Sequence, residues 1–123
     1  MYDKELSLDI LHQILATTQK IRQRFKRIET VLDFTSSESG VERLDSICML
    51  LIAIGEGLKN VDKITKGELL RSYPEVDWKG AKGLRDIIAH QYFNVDAEDI
   101  FWVCEKHIPP LSDAIQKMIS DLQ

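Results

Sequence analysis

Cysteine is scarce in this chain. Cys48 and Cys104 each stand alone among apolar neighbours, too few for a disulfide framework and without zinc-ligand spacing. One bridge between them is open, but with no export signal ahead of them reduced core thiols are the expectation. His12, His90 and His107 are scattered, so no metal site and no cofactor is expected. No Gly-rich loop follows a strand, which excludes the usual nucleotide-binding folds. Long apolar runs are missing too. The longest, Ile47 to Ile54, has eight residues, against roughly 20 for a bilayer crossing. Met1-Tyr2-Asp3-Lys4-Glu5 is not the basic start of a signal peptide, so a cytoplasmic protein without membrane contact is expected. No segment alternates with period two, and no hairpin signal occurs.

What remains is helical. The 123 residues, 44% apolar and 29% charged, suit one domain spanning 1–123 with one core. The spacing of Leu11, Ile14, Ile21, Phe25, Ile28 and Leu32 predicts one long helix from Asp3 to about Phe34. Thr35 to Gly40 reads as a loop, and its shortness suggests an antiparallel return. Val41 to about Ile64 carries the fullest apolar stripe and is expected to be the most buried helix. Gly55 and Gly57 lie inside it at about 1 kcal/mol each relative to Ala. Either that helix bends there or another backbone approaches. Glu56 between them is either exposed or paired. Glu68 to Arg71 looks like a short turn, and Asp77 caps a third helix running from Trp78 to about Tyr92. Asp96 caps a fourth, which Pro109-Pro110 either kinks or breaks. The fold class is therefore all-α: an up-and-down antiparallel bundle of four main helices plus a short extra helical turn.

Charge is unevenly spread. The formal net charge is −4, so charge alone does not mark a nucleic-acid-binding protein. Yet Lys20, Arg22, Arg24, Lys26 and Arg27 fall within eight residues that contain no acid. Such a block is either a solvated helix face or a contact for phosphate or an acidic partner.

The densest chemistry sits in Arg85-Asp86-Ile87-Ile88-Ala89-His90-Gln91-Tyr92. A fixed guanidinium binds phosphate, and an imidazole serves as general acid or base. Together they suffice for RNA cleavage in which a 2′-hydroxyl attacks the adjacent phosphate. Asp86 and His90 are four apart and stack on one helix face, where the carboxylate would orient the ring. Arg85 and Tyr92 share a face, whereas Arg85 and His90 stand about 140° apart on an ideal helix. Convergence of the latter pair needs an unwound helix end or a wide cleft. The competing reading of the same residues is a purely structural polar edge.

This run resembles the R-x-x-x-x-H-x-Y motif of the HepT-like HEPN proteins, toxins of the HepT/MntA toxin–antitoxin systems of prokaryotes. Ile54-Gly55-Glu56, Tyr73-Pro74 with Trp78, Gly83-Leu84-Arg85 and Val95-Asp96 agree with the family layout over about residues 41–115, and the first helix fits by length and pattern. The resemblance implies a HEPN-like homodimer with two motifs at one cleft. It implies a metal-independent endoribonuclease with Arg85 and His90 as the catalytic pair and Asp86 in support. The implied partners are RNA and a small MntA-type nucleotidyltransferase antitoxin able to transfer AMP to Tyr92. Lys20, Arg22, Arg24, Lys26 and Arg27 would add RNA or partner contacts. The alternative within the same resemblance is a non-catalytic substrate-binding subunit of the nucleotidyltransferase.

Overall fold

A computed structural model describes residues 2–90 and 94–123. Helix α1, Lys4–Phe25, begins where Asp3 accepts the Leu6 N–H at 2.9 Å. It buries Leu11, Ile14, Thr18 and Ile21 along one face. The buried Thr18 hydroxyl donates to the Leu15 carbonyl at 2.7 Å and lies 3.3 Å from the Ser112 hydroxyl. No polar side-chain atom is thus stranded there.

The first helix is shorter than its pattern predicts. It ends at Phe25, and a separate short helix α2, Leu32–Thr35, follows. The Asp33 carboxylate reaches back to accept the N–H groups of Glu29 (2.7 Å) and Thr30 (3.0 Å). Those two bonds hold its carboxyl below the usual carboxylate range. They fix a turn instead of a continued helix, and the turn buries Phe34 completely while Leu32 stays 70% exposed. The apolar stripe therefore jumps a register at the break.

The expected loop at Thr35 to Gly40 is also mostly helical. Ser37 caps α3, Glu38–Thr65, by accepting the Gly40 N–H at 3.0 Å. A serine run read as loop is here a cap. Gly40 is required because the Asp33 carbonyl oxygen occupies the place of a β-carbon.

Helix α3 is the centre of the bundle, with α1 packed on one side and α5 on the other, and α7 covering α1. Ile47, Leu51, Ile54, Leu58 and Val61 are fully excluded from water, each stabilising the fold by about 1.5–3 kcal/mol. Left-handed Lys66 (φ 54°) ends α3, and α4, Glu68–Arg71, follows.

Tyr73 and Trp78 then anchor the entry to α5, Trp78–His90. The Tyr73 hydroxyl donates to Asp121 at 2.6 Å, and the Trp78 indole donates to the Tyr73 carbonyl at 2.7 Å. Asp77 accepts from Gly80 N–H at 3.0 Å, as its capping position predicts.

Asp96 caps α6, Ala97–Trp102, which runs through a π-helical segment, Val103–His107, into α7, Ile108–Leu122. Pro109 and Pro110 lie in the first turn of α7. Their missing N–H groups and bulky rings are accommodated by the wider turn before them, so the helical path continues across the pair. Cys48 and Cys104 are both free and buried. Among the described residues, no helix is long and apolar enough to cross a membrane.

Candidate functional site

The glycines inside α3 mark close approaches of neighbouring elements. A β-carbon on Gly55 would stand 3.3 Å from the Arg85 backbone nitrogen and 3.4 Å from the Lys82 carbonyl. On Gly57 it would meet the Ile14 side chain at 2.9 Å. Backbone of α5 thus presses on α3 at Gly55, and α1 presses one step further on. The crossing sets Arg85 directly beside Glu56.

Arg85 Nε forms an ion pair with Glu56 Oε1 at 2.7 Å, and Arg85 Nη1 donates to Asp86 Oδ1 at 3.4 Å. Arg85 and Glu56 are each about half exposed. Guanidinium carries five N–H donors, so these two contacts leave donors for a phosphate. Glu56 is the ion-pair partner of Arg85 that the motif itself does not name. Its signal in the sequence is the flanking pair of glycines.

His90 is held differently from the expectation. Its Nδ1 lies 2.6 Å from the backbone carbonyl of Asp86, not from the Asp86 carboxylate. The carboxylate is drawn toward α3, where Lys59 Nζ approaches it at 3.3 Å. Lys59 stands one turn beyond Gly55, so the same helix crossing diverts it. A carbonyl only accepts, so Nδ1 carries the hydrogen and Nε2 is the basic nitrogen of the neutral ring. Arg85, midway along α5, and His90, its last residue, are both exposed. Tyr92 lies outside the described residues.

The basic run on α1 is elsewhere. Lys20, Arg24 and Arg27 join Gln23 and Arg43 around an open depression of about 420 Å³, which Arg22 and Lys26 do not line. Arg43 and Glu56 are both on α3, and their separation along it is about 20 Å at 1.5 Å per residue. The structure therefore groups part of the run with a fourth cation, Arg43, but does not bring it to Arg85.

On its other flank, α5 borders an apolar groove of about 280 Å³, shared with α6, the π-helical segment and α7. Ile87 and Trp102 line it and are 55% and 56% exposed.

The profile of the family described as Ribonuclease HepT-like matches residues 8–118. The chain belongs to the HepT-like family. The match takes in most of α1 and α7 as well as the motif helix, so membership covers the whole bundle rather than the 41–115 stretch alone. Among relatives of this HepT-like chain, "Putative RNase MJ0127" of Methanocaldococcus jannaschii is 28% identical over 104 residues, covering 80% of this chain and 83% of the relative. "Putative RNase MJ0125" of the same organism is 26% identical over 102 residues, 78% of this chain and 84% of its own. "Probable ribonuclease HepT" of Thermococcus cleftensis is 30% identical over 73 residues, 59% of this chain and 63% of its own. No solved structure gives a significant match to the HepT-like chain.

Proposed function

We propose that this HepT-like protein is a metal-independent endoribonuclease and the toxin of a toxin–antitoxin pair. The observation that carries the reading is the state of the two motif side chains: Arg85 aimed by Glu56 at 2.7 Å, and His90 oriented through Nδ1 at 2.6 Å. Both are exposed on α5, Arg85 midway along it and His90 at its end. The names of the relatives point the same way.

In this reading a phosphodiester lies against the free donors of Arg85. The RNA 2′-oxygen forms a bond to phosphorus as the bond to the 5′-oxygen breaks. The 2′-hydroxyl proton passes to a base, and a proton is supplied to the departing 5′-oxygen. His90 Nε2 serves in one of these transfers, with the second motif of a homodimer for the other. Arg85 counters the charge building on the phosphoryl oxygens. Exposed Ile87 and Trp102 beside α5 favour such a dimer, because water-facing large apolar side chains around a groove mark an association surface.

The antitoxin is a small nucleotidyltransferase. It neutralises the toxin by AMP transfer: the Tyr92 hydroxyl attacks the α-phosphate of ATP and pyrophosphate leaves. Added phosphate and bulk near Arg85 then compete with RNA.

The deciding experiment is cleavage of RNA in EDTA by protein carrying unmodified Tyr92, beside His90→Ala and Arg85→Ala. Wild type should generate 5′-hydroxyl and 2′,3′-cyclic phosphate ends, and both variants should lose at least about a hundredfold in rate. Intact RNA at high wild-type concentration overturns the reading and leaves the non-catalytic subunit in its place.

A further inference from the structure

The face of α3 that carries Glu56 continues into a groove that neither the motif nor the basic run accounts for. The C-terminal end of α3 and the first half of α5 flank an open channel of about 680 Å³. Lys59, Lys63 and Lys66 line it from the α3 side, Lys79 and Lys82 from α5. Lys59 and Lys63, four apart on α3, stack on one face with about 5–6 Å between their β-carbons, and Lys66 follows at the left-handed end of the helix. Lys79 and Lys82, three apart, stack likewise.

Two aspartates temper this charge. Lys82 pairs with Asp62 at 2.7 Å and Lys59 with Asp86 at 3.3 Å. Lys63, Lys66 and Lys79 are exposed, and the ion pairs among the described residues leave all three without a carboxylate. Uncompensated lysines are thus concentrated here in a chain of net charge −4.

The lining also lacks something. Apart from lysines and aspartates, its described lining contains only Gly67 and Gly83. Among the described residues, no aromatic ring lines it to stack a base, and no apolar side chain lines it to anchor a protein. Cores of protein interfaces are depleted of Lys and enriched in aromatics, Met and Arg. Charge against solvated phosphate is the chemistry that remains. The channel also opens onto the motif, since Asp86, which lines it, meets Arg85 Nη1 at 3.4 Å.

We propose that this channel is a phosphate track for the single-stranded RNA flanking the scissile phosphate. Lys63, Lys66 and Lys79 hold successive backbone phosphates and read no base. The assignment rests on Arg85 and His90 being the cleavage pair. It gives the main electrostatic role to these lysines rather than to the α1 run.

The test measures binding separately from cleavage. The probe is a short fluorescent oligoribonucleotide, 2′-O-methylated throughout, which has no 2′-hydroxyl to attack. Lys63→Gln/Lys66→Gln/Lys79→Gln should weaken binding about tenfold or more and reduce the slope of log affinity against log salt by about 2, since each phosphate contact to a single strand contributes about 0.7. Lys20→Gln/Arg24→Gln/Arg27→Gln should bind as wild type does. Gly83→Glu places a carboxylate in the channel from a position where a β-carbon meets no atom within 4 Å; it should weaken binding, and Gly83→Ala should not.

Wild-type affinity and salt slope in the triple-lysine variant would overturn the track. Tighter lysine-dependent binding of polyglutamate than of RNA would also overturn it, in favour of an acidic protein partner. If cleavage depends on His90 while neither binding nor kcat/KM responds to these lysines, the track fails and the nuclease stands. If lysine-dependent binding holds but wild type cleaves nothing, the nuclease fails and the channel stands as an RNA-binding surface.

Discussion

Arg85 of α5 rests on the carboxylate of Glu56 of α3, Nε to Oε1 at 2.7 Å, at the point where Gly55 lets the two helices touch. Both partners are about half exposed, and pairs of that kind add only about 0–1 kcal/mol to stability. The contact therefore matters for where the guanidinium points. Glu56→Ala should leave the urea midpoint nearly unchanged and lower kcat for RNA on the order of ten- to a hundredfold, with KM little affected. Glu56→Asp keeps the charge and should recover part of the rate. Wild-type kcat in Glu56→Ala would show that Arg85 does not depend on this support.

The helix crossing itself can be loaded sterically. Backbone atoms of α5 surround the Gly55 β-position at 3.3–3.4 Å, and backbone yields only by moving the helix. Gly55→Val should cost about 1–3 kcal/mol through overpacking and lower RNA cleavage by displacing Arg85. Gly83 is the contrast, with open space around its β-position. Gly83→Ala should stabilise the protein by roughly 0.5–1 kcal/mol. Denaturant titrations of the two variants check both signs; a stabilised Gly55→Val would contradict the close approach.

Burial pushes the Cys48 thiol up to about 11 and the Cys104 thiol up to about 12. Neighbouring charge adds to this, from Asp45 at Cys48 and from Cys48 at Cys104. Burial, with the hydrogen bond to Asp121 behind it, pushes the Tyr73 hydroxyl up to about 12. An unfolded thiol ionises near 8.5, so the unfolded chain gives up these protons first as pH rises. The contribution of the thiols is then fully present below about pH 8.5 and declines between there and the folded values. Unfolding free energy measured by urea should fall from pH 8.5 to 10.5, and less steeply in Cys48→Ala/Cys104→Ala. Equal slopes would mean that the thiols ionise alike in both states.

The parts of this fold that were legible are those with local causes. Asp77 and Asp96 cap from side chains one step outside their helices, and the α3 stripe is nearly unbroken. The end of α1 was not legible, because no Gly or Pro marks it. It is imposed by Asp33 folding back on Glu29 and Thr30 and by the burial of Phe34. Ser37 looked like loop because a cap and a loop use the same residue types. At the site, Arg85 and His90 stood out by type and spacing. The destination of the Asp86 carboxylate did not, since it is decided by Lys59 on another helix. The Gly-Glu-Gly step in α3 left open a close approach, but which residue approached became visible only with the crossing of α5.

Ile87 lies between the two motif residues, three positions before His90, and is 55% exposed despite being fully apolar. Trp102, 56% exposed, stands across the same groove, its ring 4.3 Å from that of His107. If a second copy covers this face, its removal from water stabilises the dimer and leaves the monomer's core untouched. Ile87→Glu and Trp102→Glu should each shift the protein toward monomer in light scattering at micromolar concentration, with thermal midpoints of the monomer unchanged. RNA cleavage should fall with the dimer fraction, and for Trp102→Glu it should return as protein concentration is raised, because that residue belongs to α6 and not to the motif helix. A wild type that scatters as a monomer at those concentrations, or variants that stay dimeric, would remove this face from the shared cleft.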